Sequence, residues 1–287
     1  MTGTALSLVI GAAVLHAAWN ALAKRSHDPL VFLWSSFSVA TLLLLPFALW
    51  ALRTEQFAAS AAPFVAATVA IHAIYFYALG SSYRSGDFSL VYPIARGLGV
   101  ALVPVLALLL FDERLSPLGG TGVSLVVTGI VTLHLLPRLG QGTREPLRLG
   151  AGTWWALLTG LTIAAYSLVD KAGVARLHPV PYIFLLGLGS SLILLPAMRA
   201  RAAALRTEWR ANWRAILAAS TMNLTAYLLV LFAFRLSKVG YVVAGRELSI
   251  VFSALIGSLW MNEGPLLPRL AGAAVVLAGV VCVALAR

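Results

Sequence analysis

Charged residues are scarce in this sequence, and acidic residues are the scarcest. Asp, Glu, Lys and Arg make up 11% of the 287 residues, whereas apolar residues make up 60%. A soluble domain has about a quarter charged residues, and a soluble chain this apolar would expose large adhesive patches. The composition therefore excludes an ordinary soluble domain and predicts a protein whose solvent is lipid.

Several chemical motifs are also missing. The single cysteine, Cys282, excludes a disulfide within the chain. No Cys/His metal spacing, phosphate-binding loop, nucleophile elbow or zinc-protease motif occurs, so we expect no metal, no cofactor, no ATP-driven step and no enzyme. The formal charge is +11, but the basic residues stand at the ends of apolar runs, as membrane proteins place them, so nucleic acid is not an expected partner.

Ten apolar runs are long enough to cross a membrane as helices, for which about 20 residues are needed. They cover residues 3–23, 30–52, 58–82, 88–111, 117–137, 152–170, 180–198, 214–235, 239–261 and 269–286. The runs are too long and too uniformly apolar for the strands of a membrane barrel. We therefore predict an all-α membrane protein with ten transmembrane helices.

The two halves of the chain resemble each other at an offset of 150 residues. The matched positions are Tyr77 with Tyr227, Arg96 with Arg246, Glu113 with Glu263, Gly122 with Gly272 and Gly129 with Gly279. Each half holds five spans, and an odd number makes the second half enter the membrane from the opposite side. The pattern predicts two inverted five-helix repeats, residues 1–139 and 151–287, joined by a linker at 140–150, with a substrate site near the midplane between them.

Three segments resemble those of a known transporter family. They are residues 16–24 (HAAWNALAK), 91–97 (VYPIARG) and 111–116 (FDERLS), the last followed by Gly122. Together with the ten-span layout, they resemble the EamA-type branch of the drug/metabolite transporter superfamily. The second half matches less well, because Gly264 stands where the first half has Arg114. The resemblance implies a secondary carrier whose spans four and nine line the central path.

Three charged residues fall inside predicted spans four and nine. Arg96 lies about a third of the way into span four, and Arg246 and Glu247 occupy the matching level of span nine. A charge at membrane depth costs roughly 2.5 kcal/mol or more, so each needs a partner or a wet cavity. We expect Arg96 to pair with Glu247, leaving Arg246 for the substrate. A purely structural tether between the two helices is the alternative.

Polar and aromatic side chains in other spans are further candidates for substrate binding. His16 and Asn20 are four residues apart and share one helix face, and His72 lies on a polar-aromatic face of span three. Tyr92 in span four and Tyr227 in span eight supply aromatic lining, and Pro93 is expected to kink span four toward the cavity. The alternative is that these groups hydrogen-bond or pack against neighbouring helices.

Four ionisable residues near span ends are assigned no part in substrate binding. Asp170 and Lys171 close the sixth span and are interpreted as boundary residues, whereas Glu113 and Glu263 are interpreted as capping or gating elements.

The balance of intramembrane charge predicts the class of substrate. Two arginines against one glutamate leave an excess positive charge, which favours a small anionic or zwitterionic metabolite such as an amino acid or another carboxylate. The alternative is that the protein exports lipophilic cationic drugs. The depth of the charges in the membrane argues against a lipid-modifying enzyme and against a scaffold protein. We expect export by alternating access in a bacterial inner membrane. Proton coupling through Glu247 or His16 and plain facilitated exchange both stay open.

Overall fold

The computed structural model describes the backbone of residues 1–54, 59–85, 88–140, 150–252 and 266–286. Within these ranges, side chains are described at all positions other than 24, 54, 83, 88–90, 92, 93, 133–140 and 266–270. Every secondary-structure element in this part of the chain is helical. The helices are α1 (Gly3–Lys24), α2 (Pro29–Thr54), α3 (Ala62–Ser85), α4 (Phe88–Phe111), α5 (Pro117–Gly140), α6 (Ala151–Val174), α7 (Pro179–Arg199), α8 (Ala202–Leu236), α9 (Val239–Arg246) and α10 (Leu266–Leu285), with a short 3₁₀ turn at Ala59–Ala61.

The outer surface of these helices is apolar. Leu42, Trp50, Leu109 and Leu285 are each at least two-thirds exposed, which only a lipid environment makes favourable. In the described residues, seven helical segments are long and apolar enough to cross a membrane, and the shorter segments Pro117–Thr132 and Ala271–Leu285 are also apolar. The chain is therefore an all-helical integral membrane protein. Part of the ninth predicted span lies outside the described residues.

The connection between α1 and α2 is fixed by two carboxylates. Asp28 caps α2, because its Oδ1 accepts hydrogen bonds from the N–H groups of Leu30 at 3.0 Å and Val31 at 3.2 Å. Glu208 of α8 is fully buried, and its Oε2 accepts from the N–H groups of residues 27 and 28 at 2.9 and 3.0 Å. The first turns of α8 are therefore held against this connection.

Two helices are interrupted. The long α8 has non-helical backbone angles at Asn212, so its first ten residues and its apolar remainder form two segments. The first of these segments lies within the basic stretch from Arg199 to Arg214. α9 ends at Arg246, because the Glu247 N–H bonds to the Ala244 carbonyl three residues back at 3.1 Å instead of continuing the α-helical pattern. Residues 248–252 are helical again.

The helices pack in a limited set of pairs. α1 packs on α8, and α3 packs on α6. α2 contacts both α7 and α8, α3 contacts α7, and α4 contacts α6, α5 and α9. α5 and α10 form a further closely packed pair. This arrangement brings α1, α3, α6, α8 and α9 around a common interior.

Glycines allow α5 and α10 to approach closely. A Cβ atom on Gly122 would lie 2.7 Å from the Gly279 carbonyl oxygen, and one on Gly279 would lie 2.6 Å from the Gly122 carbonyl oxygen. Gly129 lies in the same way against the Gly272 carbonyl, at 3.1 Å. The glycines that the sequence aligned in pairs are therefore the residues that lie at one helix interface, where small side chains let the backbones touch.

Candidate functional site

A cavity lies between α1, α2, α3, α6, α8 and α9. Among the residues that line it are His16 and Trp19 from α1, His72 from α3, Tyr166 from α6, Asn223 and Tyr227 from α8, and Arg246 from α9. Its volume is about 40 Å³, which is room for about three water molecules. Most of these side chains are aromatic, and Arg246 brings a full positive charge to the wall.

Arg246 is positioned by two neighbours. Its Nη2 donates to the Tyr166 hydroxyl at 3.4 Å, and its Nε lies 3.9 Å from Oε1 of Glu247. Glu247 is 1% exposed, and its Oε2 lies 3.1 Å from Nε of Arg96. Arg96 also donates from Nη2 to Ser249 Oγ at 3.5 Å. One carboxylate therefore lies between two guanidinium groups, so the cluster carries an excess positive charge.

The aromatic wall is a connected set of rings. The His72 ring centroid lies 4.4 Å from that of Tyr166 and 5.7 Å from that of Tyr227. The ring centroids of His16 and Trp19 lie 4.9 Å apart, and the two rings meet edge to face. Trp19 is 7% exposed, and its indole N–H has no hydrogen-bond partner among the described residues. A buried donor without an acceptor is unfavourable, so a bound acceptor group at this wall would gain a hydrogen bond at little cost.

Some of the predicted site residues line the cavity, and others do not. His16, His72, Tyr227 and Arg246 line the cavity, and Arg96 lies behind it. Asn20 is not on the cavity wall, and its side-chain Nδ2 donates to the His16 carbonyl of its own helix at 2.7 Å. The side chains of residues 92 and 93, the predicted aromatic lining and helix kink of span four, lie outside the described residues.

Asp170 is the residue whose surroundings differ most from the prediction. It was interpreted as a boundary residue, but it is 0% exposed and lies among three hydroxyl groups. Thr68 and Tyr182 donate to its Oδ1 at 2.5 and 2.8 Å, and Tyr227 donates to its Oδ2. Tyr227 also contacts His72, with Oη 3.1 Å from Nε2. A buried carboxylate is therefore joined to the cavity wall.

A sequence signal for Asp170 existed but was weak. Thr68 and His72 are four residues apart in α3, and Tyr166 and Asp170 are four apart in α6, so each pair shares a helix face. Because Lys171 follows directly, Asp170 was interpreted together with it as a residue of the membrane boundary. The structure separates the two, because Lys171 Nζ donates to the carbonyls of Phe234 at 2.5 Å and Ser237 at 2.7 Å.

Glu113 caps α9. Capping was one of the two roles, capping or gating, that the sequence predicted for it. Its Oε2 accepts a hydrogen bond from the Val239 N–H at 2.7 Å, and its Oε1 lies 3.4 Å from Lys171 Nζ. A carboxylate at a helix N-terminus satisfies free N–H groups and complements the helix dipole. Glu263, its counterpart in the second half, lies outside the described residues.

Two transporter families match different parts of the chain. The profile of the EamA-like transporter family matches residues 150–285, and that of the small multidrug resistance protein family matches residues 47–126. The first match covers α6 to α10, which contribute Tyr166, Tyr227 and Arg246 to the cavity. Both families consist of membrane transporters, not enzymes.

Curated relatives match over short segments. The chain is 39% identical over 71 residues to the nicotine metabolites export pump subunit NepA of Paenarthrobacter nicotinovorans, which is 24% of this chain and 61% of the relative. It is 34% identical over 67 residues to the quaternary ammonium compound-resistance protein QacE of Escherichia coli, 23% of this chain and 61% of the relative. The chain thus spans less than two thirds of the length of either protein.

A solved crystal structure has the same fold. It aligns with a TM-score of 0.73 over 99% of this chain and 99% of its own chain, at 16% sequence identity. At that identity, the match concerns the fold alone and carries no information on the substrate.

Proposed function

We propose that this integral membrane protein, whose segments match the EamA-like transporter and small multidrug resistance protein families, is a secondary transporter of a small anionic or zwitterionic metabolite, such as an amino acid or another carboxylate. It works by alternating access in the bacterial inner membrane, and export is the expected direction. The observation that carries the substrate class is the guanidinium of Arg246 on the cavity wall.

Two donors support the choice of a carboxylate. Arg246 shares Glu247 with Arg96, so one carboxylate balances two guanidinium groups and positive charge remains. The unpartnered indole N–H of Trp19 adds a neutral donor to the same wall. A carboxylate accepts hydrogen bonds from both kinds of donor, and its charge-assisted bond to arginine is the stronger of the two. A lipophilic cation would meet repulsion here.

The other predicted residues have supporting parts in this proposal. His16, His72 and Tyr227 line the cavity and contact the solute. Arg96 and Glu247 position Arg246, and Asn20 and Tyr92 bind solute when the cavity widens. The narrow cavity requires such widening, because about 40 Å³ is too small for an amino acid.

The proposed mechanism uses two inverted five-helix repeats, residues 1–139 and 151–287, that rock against each other. The helix contacts support this division. In this division, α1, α3 and α5 of the first repeat correspond to α6, α8 and α10 of the second. The counterpart of the α1–α8 contact is then the α3–α6 contact, and the α5–α10 contact is its own counterpart. By the same correspondence, the counterpart of the Gly122–Gly279 contact is the Gly129–Gly272 contact. Such contacts are expected of a pseudo-two-fold axis in the membrane plane.

Export of lipophilic cations is the second candidate. The names of two relatives refer to nicotine metabolites and to quaternary ammonium compounds. The buried carboxylate of Asp170, one hydroxyl away from the cavity, is the group that would attract a cation. This alternative predicts that Asp170, and not Arg246, determines substrate affinity.

Counterflow in proteoliposomes separates the two candidates. Radiolabelled amino acids and carboxylates are compared with a lipophilic cation for the native protein and Arg246→Ala. We expect an acidic or zwitterionic solute to exchange, and Arg246→Ala to weaken its binding about tenfold or more, since a hydrogen bond to a charged group contributes about 1.5–3 kcal/mol. The exposed Arg199, at the end of α7, provides the matched control Arg199→Ala. Exchange of the cation alone would contradict the proposal.

A further inference from the structure

We propose that Asp170, Tyr227 and His72 form a binding site for one transported proton, and that this proton is coupled to solute movement through the cavity. The inference rests on the transport function proposed above. The sequence left both proton coupling through Glu247 or His16 and plain facilitated exchange open, whereas the geometry of the described residues points to Asp170.

The carboxyl group of Asp170 is buried among hydrogen-bond partners. It is 0% exposed, and burial of an ionised carboxylate is unfavourable because the charge loses its hydration. Three hydroxyl donors, from Thr68, Tyr182 and Tyr227, offset this cost, since hydrogen bonds to a charged group are stronger than those between neutral groups. No Lys or Arg of the described residues forms an ion pair with Asp170. Burial and hydrogen bonding therefore act on the carboxylate in opposite directions.

The hydrogen-bond partners of His72 fix one of its protons. Nδ1 lies 3.0 Å from the Thr68 carbonyl oxygen and 3.0 Å from the Thr68 hydroxyl oxygen. A carbonyl oxygen can only accept, so Nδ1 carries a hydrogen. The Thr68 hydroxyl is free to donate to Asp170. What remains open is the direction of the two bonds that link His72 Nε2, Tyr227 Oη and the Asp170 carboxyl.

Only two arrangements satisfy both of these bonds. In the first, Tyr227 donates to Asp170 and His72 Nε2 donates to Tyr227, which makes Asp170 a carboxylate and His72 an imidazolium. In the second, Asp170 is a neutral acid that donates to Tyr227, and Tyr227 donates to a neutral His72. The two arrangements contain the same number of protons and interconvert when protons shift along the chain of bonds.

Loss of one proton breaks this chain. With Asp170 a carboxylate and His72 neutral, Tyr227 has one hydrogen for two acceptors, so either its bond to Asp170 or its bond to His72 is lost. The second of these joins α3 to α8 at the cavity wall, with 3.1 Å between the two atoms. The protonation state therefore determines whether Tyr227 can keep both bonds, and the bond to His72 is the one that links the two helices.

The surrounding charged groups favour the neutral second arrangement. Arg246 of α9 lines the same cavity as His72 and disfavours a second cation there. Lys171 of α6 is bonded to backbone carbonyls of α8 and the following turn and pairs with Glu113 of the connection after α4. Among the described residues, the other titratable neighbours are the hydroxyls of Tyr75 on α3, Tyr166 on α6 and Tyr182 on α7. Glu247 is less suited to carry the proton, because protonating it would leave two arginines uncompensated.

A titration of the full chain in detergent tests the proton site without any solute. The infrared carbonyl band of a protonated carboxylic acid is followed against pH for the native protein and Asp170→Asn. We expect a pH-dependent band that Asp170→Asn removes and that Tyr227→Phe shifts, because the bonding partner is lost. Should Asp170→Asn fail to fold, the shift in Tyr227→Phe decides alone. A band that neither substitution alters would overturn the proposal.

Flux in proteoliposomes tests the coupling. For a solute that gives counterflow, a pH gradient of either sign is imposed, and net accumulation is compared with exchange at equal pH. Asp170→Asn should retain exchange and lose gradient-driven accumulation, whereas Tyr77→Phe, which removes an exposed hydroxyl of α3, should retain both. Native protein that exchanges solute but ignores the gradient, or Asp170→Asn that accumulates normally, contradicts coupling. If no solute exchanges at all, the transport proposal fails, and the infrared titration still decides whether Asp170 binds a proton.

Discussion

At the scale of residues, Glu247 controls how much positive charge reaches the cavity. It lies 3.1 Å from Arg96 Nε but 3.9 Å from Arg246 Nε, so Arg96 is the closer partner and Arg246 remains turned to the cavity wall. A buried pair of this kind is not by itself a source of stability, because both charges lose hydration. Its consequence here is electrostatic, because the arginine that pairs less closely with Glu247 is the one available to the solute.

Removing Arg96 should therefore act through Arg246. In Arg96→Gln, Arg246 is the ionic partner that remains for Glu247 among the described residues, so Glu247 neutralises the cavity cation. We expect near-normal folded yield, since the buried carboxylate keeps a partner, and loss of counterflow of the anionic solute by about tenfold or more. Counterflow and size-exclusion yield in detergent are the measurements.

The double variant Arg96→Gln, Glu247→Gln provides the matched comparison. It removes the competing carboxylate, so Arg246 is again uncompensated and exchange should partly recover relative to Arg96→Gln alone. Collapse of the folded yield in the single variant would favour a structural tether. A double variant no better than the single one would show that Glu247 does not compete for Arg246.

At the scale of elements, α8 is divided into a docking segment and an apolar segment. The break at Asn212 separates them, and the Asn212 side chain donates to Glu208 Oε1 at 2.6 Å. Glu208 also holds the α1–α2 connection, and Trp209 Nε1 donates to Ser35 Oγ at 3.0 Å. The kink thus places a polar clamp on α2 while the rest of α8 carries Asn223 and Tyr227 to the cavity.

Glu208→Ala should destabilise the protein measurably. It removes the acceptor of the part-buried backbone N–H groups of residues 27 and 28, and a hydrogen bond to a charged group contributes about 1.5–3 kcal/mol. We expect a lower midpoint of thermal unfolding in detergent. The neighbouring Thr207 is exposed and bonds only within its helix, so Thr207→Ala should change the stability by less than about 0.5 kcal/mol. Equal midpoints for both variants would contradict the clamp.

At the scale of the whole molecule, the α5–α10 interface joins the two halves of the chain. The carbonyl oxygens of Gly122 and Gly279 face the position that a Cβ atom on the other glycine would take, at 2.7 and 2.6 Å. Neither backbone can give way without moving its helix. In lipid, where apolar faces gain little from association, such close packing is a main source of attraction between helices.

Gly279→Ala should loosen this interface. The added methyl group meets backbone atoms, and overpacking of this kind costs about 1–3 kcal/mol. We expect a lower unfolding midpoint and slower exchange in proteoliposomes. Gly120 has no atom within 4 Å of its Cβ position, so Gly120→Ala tests the same substitution in open space and should be neutral or slightly stabilising. A loss of stability in Gly120→Ala equal to that in Gly279→Ala would exclude packing as the cause.

Much of the fold could be predicted from the sequence. Apolar runs of about 20 residues form helices in lipid because every backbone group must be satisfied within the segment, and this constraint acts on each run separately. The boundaries follow from local chemistry, as at Asp28 and Pro29, where a cap and a proline begin α2. The deep arginines were equally visible, since a charge within an apolar run is conspicuous. The superfamily could be recognised for the same reason, from short segments that stand out against an apolar background.

The order of amino acids is enough to show that the chain is helical, lies in a membrane and carries arginine at depth. Only the tertiary structure decided which polar groups meet: Asp170 of α6 with Tyr227 of α8 and, through it, His72 of α3, and Glu247 between Arg96 and Arg246. The physical reason is that a membrane helix is apolar toward lipid and toward protein alike, so its hydrophobic pattern does not reveal which face is inside. Rotation about each helix axis is set by packing, and packing is a property of the assembled bundle.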